Sequence, residues 1–221
     1  MTVTRSPSFW NKHQFWLVLL AAAIIREVPF LSLPFNWFES FFHEISHGFA
    51  AILTGGKIIR IELMLNGAGL CTTLGGIRFF TAFAGYAGAA LWGYLIFQLA
   101  SYNAKLTKTV IALLLVLITV CLVLWTRDLF TLVILLVLAT VLLAKLRFAT
   151  SRWLNRLVQL LGLTILLNAV ISPLYLVDGH ARGDGATLAN LTLIPELAWV
   201  AIWMAIGLLF LYALAKQHSR Y

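Results

Sequence analysis

The sequence of 221 residues carries little charge. Only 11% of its residues are Asp, Glu, Lys or Arg, whereas a soluble domain carries roughly 25%. Cysteine is also scarce, with Cys71 and Cys121 alone. The low charge, together with uncharged apolar runs along the whole chain, excludes a soluble enzyme and a disordered chain. Two cysteines without partner spacing exclude a disulfide-framed secreted fold and a cysteine zinc site.

Hydrophobic residues make up 62% of the chain. A membrane-spanning helix needs about 20 mostly apolar residues. The apolar runs predict spans near 14–33, 37–54, 79–101, 108–125, 129–145, 157–177 and 196–215. We therefore expect an all-α membrane protein, a polytopic bundle of six or seven transmembrane helices, with residues 1–221 forming a single domain. The number of transmembrane helices depends on the first segment, where Pro29 and Pro34 can divide one crossing into a short helix and an interfacial turn.

The net charge of +8 comes from 16 Lys and Arg against 8 Asp and Glu. These basic residues gather between the apolar runs, as at Lys145 and Arg156, or near the C-terminus, as at Lys216. Basic residues at helix ends contact lipid headgroups. Since no basic stripe follows a soluble helix, the expected partner is the lipid bilayer and no nucleic acid.

One stretch interrupts the helical pattern. After Gly55 and Gly56 comes KIIRIELMLNGAGLCTTLGG, whose β-branched residues and Asn-Gly pair predict a short β-strand at 57–65 followed by a turn, or a re-entrant segment. An open sheet edge cannot face hydrocarbon, so such a segment lies at the interface, against protein or in a watery cavity. We therefore expect it to line a site, with Asn66 and Gly67 as candidate substrate-binding residues. We also expect the strand at 57–65 to pair with an extended substrate.

The strongest motif is His-Glu-x-x-His, formed by His43, Glu44 and His47. A spacing of four places both imidazoles on one helical face, where they can bind one zinc ion, and Glu44 beside the metal can take a proton from water. Glu39, one turn earlier, is either a hydrogen-bond partner of a ligand or a residue facing the headgroups. We favour the second position, in which Glu39 faces the headgroups.

A catalytic zinc ion generally has three protein ligands. The candidates for the third are Asp178 and Asp184, in an acidic, glycine-rich stretch that follows Asn168 and Pro173. Proline loosens the helical hydrogen bonding, and Asn168 can satisfy the freed backbone groups or bind a peptide. We expect one of the two aspartates to bind metal.

These motifs resemble the site-2 protease class of intramembrane zinc metallopeptidases, in particular its compact bacterial branch. HEISHGFAAILTGGKIIRIEL is similar to that branch's zinc helix and strand, TAFAGYAGAALWGYLIF to its glycine-rich helix, and GDGATLANLTLIPELAWVAIW to its acidic segment and last helix. About two thirds of the chain is covered. The class motif Asn-x-x-Pro-x-Pro-x-Leu-Asp-Gly points to Asp178, although the second proline is missing, whereas the compact branch points to Asp184. We rank Asp178 marginally first.

The resemblance implies a zinc metalloendopeptidase, in a bacterial cell membrane, that hydrolyses peptide bonds of membrane-spanning or membrane-proximal substrates, with Glu44 as general base. The alternative is a noncatalytic membrane binding or regulatory protein, or a metal-handling transporter, that retains the metal site. A binding site has no need of Glu44. A transporter would show an internal repeat or further polar residues along a pathway, and we find neither a repeat nor a charged track in the spans 108–125 and 129–145.

Overall fold

Eight α-helices and one two-stranded sheet make up the computed structural model, which describes residues 9–148, 151–177 and 182–218. The first half contains α1 (Phe9–Glu27), α2 (Pro29–Leu53), β1 (Lys57–Leu63), β2 (Gly69–Leu74) and α3 (Arg78–Tyr102). The second half contains α4 (Ala104–Leu124), α5 (Leu129–Phe148), α6 (Ser151–Ile171), a 3₁₀ helix (Ser172–Leu176), α7 (Asp184–Thr192) and α8 (Glu196–His218). The predicted all-α bundle with a short strand after the second helix is confirmed.

Five of these helices, α3, α4, α5, α6 with its 3₁₀ extension, and α8, are long and apolar enough to cross a membrane in the described part of the chain. A bend of 105° separates α1 from α2, and this pair counts as a sixth span if it crosses once. The count agrees with the lower of the two predicted numbers. The break lies at Val28, next to Pro29, which is one of the two prolines that the sequence analysis named, whereas Pro34 lies inside α2.

The centre of the bundle is the contact between α3 and α6. A Cβ atom at Gly93 would lie 2.7 Å from the Leu166 nitrogen, and one at Gly162 would lie 2.6 Å from the Phe97 nitrogen. The two backbones therefore touch directly. Small residues give membrane helices this close packing, since no hydrophobic effect drives one apolar helix against another in lipid.

The hairpin of β1 and β2 packs on α2 and α5. Its turn contains the predicted Asn66-Gly67 pair, with the Asn66 side chain accepting a hydrogen bond from the Ala68 N–H at 3.1 Å. Gly67 has φ +87°, a conformation that side chains rarely adopt. The predicted strand ends two residues early, at Leu63, because the turn begins there.

Both edges of β1 are occupied. One edge pairs with β2 in antiparallel register. On the other edge, the Ile61 N–H donates to the Trp125 carbonyl at 3.0 Å, and the Leu63 N–H donates to the Thr131 hydroxyl at 2.7 Å. The expectation that β1 itself pairs with an extended substrate is therefore wrong, since the α4–α5 turn and α5 already cover that edge.

We predict that Gly162→Leu destabilises the bundle by roughly 1–3 kcal/mol or more, because the new side chain forces α3 away from α6. The midpoint of thermal unfolding in detergent micelles measures the effect. Ala201→Leu is the matched control, since Ala201 is exposed on α8. Equal midpoints for the two variants would contradict the close contact.

Candidate metal centre and adjoining cavities

The His-Glu-x-x-His motif lies in the C-terminal half of α2. Its helical spacing brings Nε2 of His43 and Nε2 of His47 to 2.9 Å from each other. The rings face the interior of the bundle, with side-chain exposures of 14% and 9%. The sequence prediction that both imidazoles share one face is confirmed in the geometry.

Asp184 completes the group. Its Oδ2 atom lies 3.1 Å from Nε2 of His43 and 3.2 Å from Nε2 of His47. Asp184 is the first residue of α7, a helix that packs against α3 and α8. Asp178, which the sequence analysis ranked marginally first, lies outside the described residues, and the geometry favours Asp184 as the third ligand.

The three atoms fit a tetrahedral metal ion. Zinc bonds of about 2.0–2.2 Å place ligand atoms about 3.3–3.6 Å apart, and the three separations here are only a few tenths of an ångström smaller. Within the described part of the chain, this is the one group of three His, Cys, Asp or Glu side chains that could hold a metal ion. A small expansion of the triangle therefore admits zinc.

The hydrogen bonding of His47 suits metal binding. Its Nδ1 atom lies 2.6 Å from the Thr81 carbonyl oxygen on α3. Because a carbonyl only accepts, Nδ1 donates its hydrogen to Thr81, and Nε2 is the nitrogen that faces the other two ligand atoms and binds a cation once it is deprotonated. Sequence reasoning missed Thr81, since a backbone carbonyl gives no signal in the sequence.

Asp184 is in the protonation state that a metal ligand requires. Burial raises the pKa of its carboxyl, but the neighbouring His47 and His43 imidazoles lower it more, so the pKa of Asp184 lies well below its usual range. The carboxyl group is therefore ionised at neutral pH, as a metal ligand must be.

Glu44 lies next to the three ligands without joining their group. It is 6% exposed and packs under β2, where a Cβ atom at Gly69 would lie 2.7 Å from its Oε1 atom. The Cys71 backbone also interacts with its carboxylate. Glu44 is thus held between the ligands and the strand, as the predicted general base requires.

The helix α3 forms the wall opposite the histidines. A Cβ atom at Gly85 would lie 2.5 Å from Nε2 of His47 and 2.6 Å from Nε2 of His43. The next residue, Tyr86, packs its ring edge-on against His43 at 4.4 Å between centroids and is supported by Trp203. The sequence analysis predicted neither role. The regular spacing of small residues in α3 was the feature of the sequence that could have indicated a close contact with α2.

Two cavities meet at this centre and share His43, Glu44, Gly69 and Tyr86. The first, which we call the polar cavity, has a volume of about 430 Å³. Its further lining is mostly polar and includes Asn36, Glu39, Ser40, Asn66, Asn168 and Ser172. The second, the strand groove, has a volume of about 370 Å³ and follows β2, α3 and the start of α7.

All three predicted substrate-binding residues line the polar cavity. Asn168 is 5% exposed and donates from Nδ2 to Oδ1 of Asn36 at 2.9 Å. Asn66 holds the hairpin turn, and the Gly67 carbonyl accepts a hydrogen bond from the Ser40 hydroxyl. Their proximity to the metal centre agrees with the expectation, and their contact with substrate stays a prediction.

Glu39 corrects the sequence analysis. We expected it to face the lipid headgroups, but it is only 8% exposed and lines the polar cavity one turn before His43. Ser172 of the 3₁₀ helix is in contact with the carboxyl group, so this face of α2 is enclosed. Apolar neighbours in the sequence could not show which helix face is enclosed.

A family model described as Peptidase M50B-like matches residues 16–214. The chain belongs to this family. No curated protein and no solved structure matches it. The match covers α2, α7 and most of the bundle, so the motif-bearing helices fall inside the family region. Together with its five apolar helices, this membership makes the chain an integral membrane protein of a peptidase family.

We predict that the purified chain holds one zinc ion and that His43→Ala, His47→Ala and Asp184→Ala each weaken its binding by more than about 100-fold. Loss of a hydrogen-bond partner outside the ligand set already costs 10- to 100-fold. Asp178→Ala is the matched control and should keep the metal. Elemental analysis of each variant decides, and zinc loss in Asp178→Ala with retention in Asp184→Ala would reverse the assignment.

We also predict that Gly85→Ala lowers zinc affinity by roughly 10- to 100-fold, because the methyl group displaces both imidazoles. Gly93→Ala makes the same chemical change on α3 away from the histidines. Both variants lose stability, but only Gly85→Ala should change metal affinity in a competition titration with a chelator. Unchanged zinc affinity in Gly85→Ala would show that α3 accommodates the methyl group without moving the imidazoles.

Proposed function

We propose that the chain is an intramembrane zinc metalloendopeptidase that cleaves membrane-spanning or membrane-proximal substrates, in a bacterial cell membrane. The observation that carries this proposal is the meeting of His43, His47 and Asp184, with Glu44 beside them in a bundle of apolar helices. Ionisable groups at membrane depth are costly and mark functional sites.

A zinc ion bound there would polarise the scissile carbonyl and activate a water molecule. Glu44 accepts a proton from the attacking water as the hydroxyl oxygen bonds to the carbonyl carbon. It then delivers that proton to the amide nitrogen as the C–N bond breaks, so that a carboxylic acid and an amine are released. The burial of Glu44 beneath Gly69 holds the carboxylate on one side of the reacting bond.

The strand groove supplies a place for the substrate backbone. Residues opposite each other in an antiparallel pair turn their backbone groups either towards or away from one another. Ile61 turns its N–H away from β2, towards Trp125, so its partner Cys71 turns its own N–H and C=O to the outer edge of β2. An extended peptide can pair with that edge, beside Glu44.

This arrangement supports a proposal of hydrolysis over one of metal binding alone. A site that only holds or transports an ion needs the three ligands and no further carboxylate. Glu44 is outside the ligand group, is buried, and faces a strand edge that suits a peptide. These features together support catalysis.

We predict that Glu44→Gln keeps the fold and the zinc but lowers the rate of peptide hydrolysis by about 10²–10⁴, because glutamine preserves shape and cannot accept the proton. The measurement is cleavage of a membrane-spanning substrate by the reconstituted protein. Glu62→Gln, on β1, is the control and should retain the wild-type rate. Wild-type activity in Glu44→Gln would refute the general-base role, and zinc binding without any hydrolysis would favour a noncatalytic metal site.

A further inference from the structure

The polar cavity has a feature that the hydrolytic mechanism does not use. Glu39 is a buried carboxyl group that is neither a metal ligand nor the general base. The Ser172 hydroxyl is in hydrogen-bonding contact with this carboxyl group, but it also donates to the Asn168 carbonyl at 2.8 Å, so Glu39 shares its one described donor. A buried carboxyl group with a single shared donor and no cation is destabilising.

No protein cation pairs with this carboxyl group among the described residues. The ion pairs there join Arg26 to Glu27, Arg60 to Glu62, and the two histidines to Asp184. Arg26 lines the same cavity, but its guanidinium lies 3.5 Å from Glu27. The cavity therefore presents an enclosed carboxyl group to whatever enters it.

The other groups of the cavity wall add hydrogen-bonding capacity. Asn36 and Asn168 present side-chain amides, and the Gly67 carbonyl faces Ser40. A volume of about 430 Å³ is in the range of ligand pockets. A carboxyl group among such polar atoms favours a side chain that is long, rich in donors and positively charged.

The position along α2 fixes the distance from the reaction. Glu39 precedes His43 by four residues, which is about 6 Å of helical rise. An extended peptide advances about 3.3 Å per residue, so this offset corresponds to about two residues. A substrate side chain in the cavity therefore belongs to a residue within about two positions of the bond that is cleaved.

We propose that the polar cavity is a substrate subsite for a lysine or arginine side chain close to the scissile bond, and that Glu39 selects this side chain by pairing with its charge. The inference rests on the proposed function. It adds a preference for substrates in which an apolar segment carries a cationic residue beside the cleaved bond.

The test measures binding separately from cleavage. The chain carries Glu44→Gln in detergent micelles, so that bound peptide is not hydrolysed. The probes are two fluorescent Ala-Leu peptides of about 20 residues that differ only at one central position, Lys or Gln. We expect the Lys peptide to bind about 10- to 100-fold more tightly, the gain typical of a hydrogen bond to a charged group.

Adding Glu39→Gln should abolish this preference, because glutamine keeps the shape and loses the charge. Adding Glu62→Gln instead should keep it, since Glu62 lies on β1 and pairs with Arg60. Three results would overturn the proposed subsite: equal affinity for the two peptides, no binding of either peptide, or a preference for the Lys peptide that remains in Glu39→Gln. An equal loss of affinity for both peptides in Glu39→Gln also overturns it. Glu39 would then stabilise the fold or bind water, and would not bind the Lys side chain.

Cleavage by the chain with Glu44 intact keeps the two proposals apart. If both peptides resist hydrolysis while the Lys preference depends on Glu39, the subsite stands and the proposed hydrolysis fails. If both peptides are cleaved and the preference does not depend on Glu39, the hydrolysis stands and the subsite fails.

Discussion

The constraint on which the rest of the structure depends is the meeting of three cation-binding atoms inside a bundle of apolar helices. Two histidines and a carboxylate cannot remain there unless something balances their polarity. The positions of several elements follow from this need. The helix α7 packs against α3 with Asp184 as its first residue. The helix α3 offers Gly85 where a side chain would collide with the imidazoles, and its Thr81 carbonyl orients His47.

In the proposed function, the two cavities would contact different parts of a substrate. The strand groove presents backbone groups of β2, which any extended peptide can use whatever its side chains. The polar cavity presents a carboxyl group and amides, which distinguish one side chain from another. Both reach His43 and Glu44, so a peptide that pairs with β2 lies where one of its side chains can enter the polar cavity. General affinity and selectivity would then come from different walls of one site.

The sequence predicted the features that depend on neighbouring residues. The spacing of His43 and His47 fixes their shared face within one helix, and the Asn66-Gly67 pair fixes a turn, so both were predictable. The features that depend on how distant elements pack were not. Whether Asp184 reaches the histidines depends on how α7 packs against α3, and whether Glu39 is enclosed depends on where Ser172 of the 3₁₀ helix lies. Which of the two prolines marks the bend stayed open for a related reason, since Pro34 is tolerated inside a helix when its neighbours satisfy the backbone.

The hairpin of β1 and β2 is also shaped by the inability of lipid to satisfy polar groups. A sheet edge cannot lie against lipid, because its backbone groups would have no partners. The α4–α5 turn and Thr131 cover the outer edge of β1. The outer edge of β2 instead lines the strand groove beside Glu44. A peptide that leaves its helix to be cleaved also exposes unpaired backbone groups, and this edge matches them. In the proposed function, pairing between the unwound peptide and the edge of β2 would therefore satisfy both sets of backbone groups beside Glu44.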